Sequence, residues 1–476
     1  MEAGQESRST ILNPAFLKER TMSLRSINPF TGQVIREYPE MTVAEINVAI
    51  SAAHTAFLKW RTTDFSFRAQ RLQAAANILR SNTERFARLM AEEMGKPVKG
   101  GRAEVEKCAC VCDYYTENAG QFLAVEAIST DATKSYISYQ PLGVVLAVMP
   151  WNFPFWQVFR FAAPALMAGN AGVLKHASNV MGCALAIEDV FREAGYPENL
   201  FRSLLVGSSM VDSIIEHPLV RAITLTGSTP AGRAVAGKAG SLLKKTVLEL
   251  GGSDPYVVLA DANLEESVSM CVTGRLINSG QSCIAAKRFI VVDSISQKFE
   301  ELMVQQMAAA RMGNPMEEET LIGPLARYDL RDELHDQVQG SIQKGAKCLL
   351  GGSAPKGKGA FYPATVLSNV KKGMPAYDEE LFGPVASIIT ARNEQEAIAI
   401  ANDSPFGLGA AVFTSDVEKG RRIAEFELEA GSCFVNAFVK SDPRLPFGGI
   451  KESGYGRELS HAGIKEFVNI KTVYVK

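Results

Sequence analysis

Long apolar segments are missing from this chain of 476 residues. The longest apolar run, Leu142 to Met149 with Gly143 inside, ends at Pro150, well short of the roughly 18 residues that a transmembrane helix needs. The N-terminal stretch through Arg25 contains no apolar core of the kind that a secretory signal requires. The sequence therefore predicts neither a membrane partner nor secretion, and we expect a cytoplasmic protein.

An excess of charge of one sign is also missing. Lys and Arg number 50 against 52 Asp and Glu, which leaves a net charge of −2. A nucleic-acid binder needs a basic surface, and the composition offers no such excess. Because 46% of the residues are hydrophobic, far from the signature of disorder, we expect several buried cores and no nucleic-acid partner.

Cysteine and histidine are both scarce. Eight cysteines are too dilute for a disulfide scaffold, and no Cys or His pair has zinc spacing, so we predict reduced thiols and no metal site. Cys108, Cys110 and Cys112 lie in a helical stretch and are interpreted as buried, small apolar side chains. Five histidines leave few partners for a nucleophilic cysteine, which disfavours a Cys–His hydrolase.

Two rhythms divide the chain. Residues 42–118 follow a helical pattern that opens with the capping-box spelling Thr42-Val-Ala-Glu45. From residue 136 onward short apolar strands alternate with helices, first as far as Gly251-Gly252 and then to about Ser432. This alternation predicts an α/β fold of parallel sheets, with ligands at the carboxyl ends of the strands. The predicted strands of the first part are 136–139, 144–149, 172–175, 204–206, 222–226 and 246–250.

The loop Thr226-Gly-Ser-Thr-Pro-Ala-Gly232 joins a predicted strand to a predicted helix. Free N–H groups at a helix N-terminus favour phosphate. However, the loop lacks the G-x-G-x-x-G fingerprint, and the chain has no Walker A motif. From its residues alone, the loop is either a phosphate site or an ordinary turn.

Three side chains have positions suited to acyl chemistry. Cys283 lies in a polar turn and is either a reactive nucleophile or an inert thiol. Glu249 ends an apolar strand, where burial would make it a base near neutral pH, unless it points to solvent. Asn152 also ends a strand, and its amide either donates to an oxyanion or forms an Asx turn. The residues alone leave these alternatives open.

Six motifs, in order along the chain, resemble those of the aldehyde dehydrogenase superfamily. The resemblance covers nearly the whole chain. The motifs are Pro150-Trp-Asn-Phe-Pro154, Gly227-Ser-Thr-x-x-Gly232, Leu248-Glu-Leu-Gly-Gly252, Gly280-Gln-x-Cys283, Glu380-x-Phe-Gly-Pro384 and Pro446-Phe-Gly-Gly449.

The resemblance implies an aldehyde dehydrogenase-like α/β fold, with a Rossmann-like cofactor domain, an α/β catalytic domain that carries the cysteine and a small β oligomerisation element. The implied ranges are a disordered leader (1–22), the cofactor domain (23–122 and 142–250), the catalytic domain (251–432), a return segment to the cofactor domain (433–452) and the oligomerisation element (123–141 and 453–476).

The resemblance also implies roles for single residues. Cys283 matches the nucleophile, Asn152 matches a donor to the oxyanion, and Glu249 matches the base that activates the hydrolytic water. Many NAD-preferring relatives carry Glu where this chain has Ser178, whose small side chain leaves room for a 2′-phosphate, so we predict NADP or NAD as the cofactor. The positions that match cofactor contacts are Pro150, Trp151, Lys175, Ser178, Gly227, Ser228, Thr229, Gly232, Leu250, Glu380 and Phe382.

Within the superfamily, the chain is most similar to the shorter bacterial type of succinate-semialdehyde dehydrogenase. Arg160 and Ser441 match residues that contact the distal carboxylate of the substrate, and Trp156 and Gln157 match positions that shape the substrate tunnel. The alternative for Arg160 is a solvated helix arginine. Those enzymes often carry a second arginine where this chain has Ile277, so charge recognition is expected to be less complete.

Three functions are therefore compared. The first is oxidation of succinate semialdehyde to succinate with NADP or NAD, and the second is the same reaction on glutarate semialdehyde or another aliphatic aldehyde. The third, a non-catalytic protein of the same fold, is disfavoured because Cys283, Glu249 and Asn152 are all present. The predicted strands at 136–139 and 468–475 need a partner, so we expect a homodimer or a homotetramer.

Overall fold

The computed structural model describes residues 23–476, and the predicted leader over residues 1–22 lies outside them. Over the described range, no helix is both long and apolar enough to cross a bilayer. The helices are α1 (Val43–Trp60), α2 (Phe65–Ser81), α3 (Thr83–Met94), α4 (Val98–Phe122), α5 (Trp156–Met167), α6 (Met181–Glu193), α7 (Val211–Glu216), α8 (Thr229–Ser241), α9 (Leu264–Leu276), α10 (Asp293–Ala308), α11 (Tyr328–Gln343), α12 (Pro375–Asp378), α13 (Glu394–Asn402), α14 (Val417–Phe426) and α15 (Ser460–Ile464).

Strands carry the rest of the regular structure. They are β1 (Ser23–Ile27), β2 (Val34–Pro39), β3 (Glu126–Ala127), β4 (Lys134–Pro141), β5 (Val144–Met149), β6 (Ala171–His176), β7 (Phe201–Ser203), β8 (Val220–Thr226), β9 (Lys245–Glu249), β10 (Pro255–Val258), β11 (Arg288–Val292), β12 (Lys347–Leu350), β13 (Thr365–Ser368), β14 (Val385–Ala391), β15 (Phe406–Gly407), β16 (Gly409–Phe413), β17 (Ser432–Val435), β18 (Ile450–Lys451), β19 (Gly454–Tyr455) and β20 (Val468–Val475).

The first sheet has the strand order β19-β9-β8-β5-β6-β7. Strands β5 to β9 pair in parallel, and β19 joins β9 antiparallel. Both β5 and β6 are buried almost throughout, as parallel strands are when helices cover their sheet. Helices α1, α5, α6 and α8 pack against it. The predicted parallel α/β arrangement is confirmed.

One predicted strand of this sheet is wrong. The segment 204–206 is not a strand, and β7 lies immediately before it. The ladder closes where Leu204 N donates to Leu174 O at 2.7 Å, and Val206 N then turns back to donate to Leu204 O at 2.9 Å. Leu204 and Val206 are apolar because they are buried in this turn, which alternation alone does not distinguish from a strand.

The second sheet has the order β12-β13-β14-β11-β10-β16-β17 and is parallel except for β12. Helices α10, α13 and α14 pack against it. The chain passes from the first sheet to the second between Glu249 and Pro255. Strand β17 extends this sheet to Val435, so the sheet continues past residue 432, where the catalytic domain was predicted to end.

A third, antiparallel sheet combines β20, β4 and β3. Strand β20 pairs with β4 along its whole length, from Val468 opposite Pro141 to Val475 opposite Lys134. Within residues 23–476, β20 has one strand neighbour, and Ile470 and Tyr474 on it are exposed. Strand β19 belongs to the first sheet, although it falls inside the range predicted for oligomerisation.

The N-terminal helices follow their local signals closely. The predicted capping box of α1 is present, since the Thr42 hydroxyl accepts from Glu45 N and the Glu45 carboxylate accepts from Thr42 N. On α4, Cys108 and Cys112 are buried but Cys110 is exposed, because two residues along a helix turn through about 200°. The interpretation of all three cysteines as buried is therefore wrong for Cys110.

Candidate active site

A cavity of about 350 Å³ lies at the carboxyl ends of the parallel strands of the first sheet. The residues after β5, β8 and β9 reach it from that sheet, and the loop before β11 reaches it from the second. Parallel sheets offer their ligand sites at this position. The residues that line this first cavity are Pro150, Trp151, Asn152, Thr226, Gly227, Ser228, Leu250, Gly251, Cys283, Leu330, Glu333, Leu334, Gln337, Glu380 and Phe382.

Cys283 follows a tight turn over residues 277–280. Asn278 and Ser279 have φ angles of 54° and 57°, a left-handed conformation that is unfavourable for residues with a side chain. At Gly280, where φ is 77°, a Cβ would clash with the carbonyl oxygen of Gly383. The strained turn and its close packing against the Gly383 backbone place Cys283 at the wall of the cavity.

Asn152 lies beside this turn. The Asn278 side chain holds the two together, because its Nδ2 donates to Asn152 O at 2.7 Å and to Gln281 O at 2.9 Å. Asn152 is itself buried, and its Nδ2 donates to Gln281 O at 3.2 Å. An amide nitrogen carries two N–H groups, so a second one can donate to an oxyanion formed on Cys283.

Charges of both signs act on the Cys283 thiol. Burial raises its pKa to about 12, while Arg160 and Lys287 lower the pKa and Glu380 and Glu249 raise it. Lys287 Nζ donates to Cys283 O at 2.7 Å and lies 3.1 Å from a Glu380 oxygen. Since the thiolate is the nucleophile, the thiol must first lose its proton, and the two cations favour that loss.

Glu249 lies at the end of β9 and is 2% exposed, which contradicts the solvent-facing alternative. Neither carboxylate oxygen has a hydrogen-bond partner among residues 23–476. Burial raises the pKa of Glu249 to about 8, while Arg160 lowers it and Glu458 raises it. A carboxyl group with this pKa exchanges its proton near neutral pH, as a general base must. Glu249 is not part of the first cavity's lining, although its charge acts on Cys283.

Arg160 is buried in the middle of α5, all of which is buried. Its guanidinium forms an ion pair with Glu458, donates to Thr226 Oγ1 at 3.3 Å and lies 4.7 Å from the Phe447 ring centre. The alternative of a solvated helix arginine is therefore wrong. Arg160 also lines neither of the two cavities described here for residues 23–476, because Glu458 holds it.

The N-terminus of α8 opens at the first cavity. Ser228 is the N-cap residue and makes no side-chain cap hydrogen bond, so the N–H groups of the first turn, apart from Pro230, which has none, are open to an anion. At Gly232 a Cβ would clash with Leu250, whose side chain packs under the helix. Gly227, Ser228 and Leu250 line the cavity, and this arrangement fits the pyrophosphate of a dinucleotide.

The remaining cofactor candidates fall into two groups. Trp151, Phe382 and Glu380 line the first cavity. The rings of Trp151 and Phe382 meet edge to face at 5.7 Å, and Glu380 accepts from Gly252 N at 3.1 Å. Candidates outside that lining are Lys175, at the end of β6 with its pKa lowered by burial, exposed Ser178 in the following turn, and Thr229 and Gly232 on α8.

A second cavity of about 550 Å³ lies on the other side of residues 150–156. Phe153 and Trp156 of that segment line it, whereas Gln157 is buried and lines neither cavity in the described chain. Ile277 is part of its wall. The residues that line the second cavity are Lys96, Pro97, Lys99, Gly100, Ala103, Glu104, Lys107, Phe153, Trp156, Val272, Thr273, Leu276, Ile277, Asn278, Thr320, Leu321 and Phe438.

A buried ion pair positions the segment between the cavities. Lys96 pairs with Glu104, and Glu104 Oε1 accepts from Phe155 N and Trp156 N, both at 2.9 Å. These two N–H groups lie at the start of α5, which favours a negative charge there. The sequence analysis did not predict this pair. Lys96 lies just before α4 and Glu104 about two turns into it, and this spacing was the available signal.

Sequence analysis also missed Lys107. Its Nζ donates to Ser441 Oγ at 2.7 Å and lies 4.3 Å from the Trp156 ring centre. A signal existed, because Gly100, Ala103, Glu104 and Lys107 have the i, i+3, i+4, i+7 spacing of one helix face, but the sequence does not show what meets that face. Ser441, predicted to contact the substrate, is buried and lines neither cavity in the described chain, but it contacts Lys107 at the wall of the second.

Comparisons with known proteins show the family of the chain. The model of the aldehyde dehydrogenase family matches residues 16–473. A probable succinate-semialdehyde dehydrogenase [NADP(+)] of Synechocystis is 49% identical over 95% of this chain and 100% of its own length. The Escherichia coli succinate semialdehyde dehydrogenase [NAD(P)+] Sad is 47% identical over 94% of this chain and 97% of its own.

Solved structures show the same fold. The succinic semialdehyde dehydrogenase of Streptococcus pyogenes, crystallised with NADP+, superposes with a TM-score of 0.93 at 38% identity and covers 95% of this chain and 99% of its own. The predicted fold class, an α/β fold with a Rossmann-like cofactor domain and an α/β catalytic domain, is confirmed.

Proposed function

The chain belongs to the aldehyde dehydrogenase family, and on that premise we propose that it oxidises succinate semialdehyde to succinate with NADP or NAD. One observation carries the proposal: Cys283, Asn152 and the residues that fit a dinucleotide line the same cavity. The relatives named for this substrate support the choice of aldehyde.

The chemistry begins at the Cys283 sulfur. Its thiolate attacks the aldehyde carbon, and the carbonyl oxygen becomes an alkoxide that accepts from Asn152 Nδ2 and from Cys283 N. The dinucleotide, when bound, supplies the acceptor for the hydride that leaves this carbon. The carbon is then a thioester of Cys283.

Hydrolysis of the thioester falls to Glu249. Its carboxylate takes a proton from the attacking water, the C–S bond breaks, and the products are the carboxylic acid and the Cys283 thiol. A pKa of about 8 suits both the uptake of this proton and its later release. Arg160 and Glu458 lie close enough to Glu249 for their charges to act on its pKa.

The cofactor residues support NADP as well as NAD. Ser178 is small and exposed near the end of β6, which leaves room for a 2′-phosphate, and Lys175 supplies positive charge at the same strand end. The relatives are named for NADP(+) or NAD(P)+. We assign Gly227, Ser228 and Thr229 to the pyrophosphate, and Glu380 with Phe382 to the nicotinamide end.

Each of the three sheets is assigned a different part of the function. We assign residues 23–122 and 142–250 to the cofactor, residues 251–435 to the cysteine, and β3, β4 and β20 to a homodimer or homotetramer interface. The exposed apolar side chains of β20 support the last assignment. A cytoplasmic location stays a prediction.

The alternative substrates are glutarate semialdehyde and uncharged aliphatic aldehydes, acted on by the same mechanism. The test measures NAD(P)H absorbance with succinate semialdehyde, glutarate semialdehyde and hexanal, each with NAD and with NADP. We expect kcat/KM to favour succinate semialdehyde by about tenfold or more, which corresponds to ~1.4 kcal/mol. Equal values for hexanal would overturn the assignment and leave a general aldehyde dehydrogenase.

A further inference from the structure

We propose that Lys107, hydrogen-bonded to Ser441, binds the distal carboxylate of the substrate. This inference rests on the proposed oxidation of an acidic semialdehyde and names the cation that recognises it. Lys107 lies on the face of α4 that lines the second cavity. Its Nζ donates to Ser441 Oγ at 2.7 Å, so a buried hydroxyl lies directly beside the cation at this wall.

The charge of Lys107 is unpaired, unlike that of its neighbours. Lys96 forms an ion pair with Glu104, and Arg160 forms one with Glu458. For Lys107, no carboxylate oxygen of residues 23–476 lies within 4.0 Å of Nζ. A partly buried ammonium without a counter-ion is unfavourable, and a carboxylate ligand would satisfy it.

The surrounding groups make this position more positive. Burial and the charge of Arg160 both lower the pKa of Lys107, to about 8, whereas Cys108, Glu104 and Asp442 act in the opposite direction. The two acids are engaged elsewhere, since Glu104 pairs with Lys96 and Asp442 pairs with an exposed arginine at 2.6 Å. Lys107 therefore faces the second cavity with the positive charge of Arg160 nearby and with both acids engaged elsewhere, which favours an anion.

The second cavity also adjoins the loop that carries the reacting sulfur. Asn278 is part of its wall, and its Nδ2 contacts both Asn152 O and Gln281 O in the loop that carries Cys283. The charge of Arg160 acts on both the Cys283 thiol and the Lys107 ammonium. An aldehyde on Cys283 can therefore extend its far end toward Lys107.

The geometry also separates the roles of the two cations. Arg160 pairs with Glu458 through Nε and donates to Thr226 Oγ1 through Nη2, so two of its three nitrogens are engaged within the fold while its charge still acts at Lys107. Lys107 offers a compact point charge on a flexible stem, which holds a carboxylate less directionally than a guanidinium fork does. Ile277 adds an apolar wall in the same cavity.

The test compares Lys107→Met with Lys99→Met on succinate semialdehyde and on butanal, which has the same carbon number and no carboxylate. Lys99 lines the same cavity but is exposed, so its removal deletes an equal charge away from Ser441. For Lys107→Met we expect KM for succinate semialdehyde to rise about 10- to 100-fold, as for the loss of a charged hydrogen bond. Its kcat and the KM for butanal should change little, and Lys99→Met should behave like the unchanged enzyme.

A conservative variant and pH give a second readout. Lys107→Arg retains the charge and should recover most of the affinity. In the unchanged enzyme, the ratio of KM for succinate semialdehyde to KM for butanal should rise as pH increases through about 8, the pKa of Lys107, because the neutral amine loses its charge. In Lys107→Arg this ratio should stay flat, since a guanidinium remains charged.

Three outcomes would overturn the proposal. An equal rise of KM for butanal in Lys107→Met would show that Lys107 has a packing role. An unchanged KM for succinate semialdehyde would show that another residue binds the distal carboxylate. In both cases the unchanged enzyme still prefers succinate semialdehyde, so the proposed function stands. If the unchanged enzyme shows no such preference, the proposed function fails together with the proposal. Retained NADP affinity confirms that each variant is folded.

Discussion

The two cavities on either side of residues 150–156 are formed by different structural elements and have different charged residues in their walls. The first is formed mainly by strand ends and glycine turns, and its charged lining residues are Glu333 and Glu380. The second is formed largely by helix faces, and it is lined by three lysines and Glu104. The first can therefore hold a dinucleotide at exposed N–H groups, whereas the second selects by charge. We infer that reaction and selection are separate properties of this chain, which substitutions can separate.

Removing the nucleophile should abolish turnover of every aldehyde, and it has the largest expected effect. Cys283→Ala should lower kcat by about 10⁴-fold or more with both succinate semialdehyde and butanal, as the loss of a nucleophile does elsewhere. NADP affinity should remain, because the N–H groups of α8 are untouched. Cys110→Ser is the matched control, since that thiol is exposed on α4. A loss of activity confined to succinate semialdehyde would contradict the inference that reaction and selection are separate.

Breaking the Arg160–Glu458 ion pair should lower the stability of the fold before it changes substrate selection. Arg160→Met leaves Glu458 buried without a partner, and such a change typically lowers the free energy of unfolding by about 3–5 kcal/mol. Urea denaturation measures this loss. Arg160→Met combined with Glu458→Met should recover most of it, and Arg392→Met, which breaks an exposed pair with Glu396, should barely matter.

The same variant sharpens the comparison with Lys107. If Arg160 acts on the carboxylate only through its electrostatic field, its loss should raise KM for succinate semialdehyde less than Lys107→Met does. A larger rise than in Lys107→Met, at full stability and with KM for butanal unchanged, would assign the carboxylate to Arg160 instead.

Removing the base should slow one half of the reaction. For Glu249→Gln we expect kcat to fall by about 10²- to 10³-fold, with a rapid burst of NAD(P)H from the first turnover, because thioester hydrolysis becomes limiting. In the unchanged enzyme, kcat should rise with pH up to about 8, the pKa of Glu249, since the carboxylate is the active form. Rapid mixing at several pH values measures both effects, and a variant without a burst would contradict this role.

Much of the first cavity could be predicted from the sequence. Pro150, Asn152 and Ser228 follow strands that short apolar runs reveal, and the ends of parallel strands meet at one edge of a sheet. Local signals also predicted the N-terminal capping box of α1 and the strands β4 and β20. The strand prediction was wrong at Leu204 and Val206, whose apolar side chains lie in a buried turn. A buried turn and a paired strand give the same short apolar pattern in the sequence.

The second cavity could not be predicted in the same way. Trp156 was expected at its wall, but Lys107 on α4 drew no attention because a helical lysine is usually solvated. Its partner Ser441 lies 334 residues away in sequence. The prediction that Cys110 is buried was wrong for a related reason, because the helical pattern did not show which face of α4 is covered by other elements.

The sequence by itself determined the fold class and the strand ends that line the first cavity, because these depend on the periodicity of apolar residues, and its short motifs predicted Cys283 as the nucleophile. Tertiary structure alone decided which of the two cations, Arg160 or Lys107, has an ion-pair partner within residues 23–476. Arg160 and Lys107 carry the same charge in the sequence, but Glu458 pairs with the first, whereas no acid within residues 23–476 pairs with the second. Electrostatic recognition depends on distances of a few ångströms between segments far apart in the chain, and folding alone sets those distances.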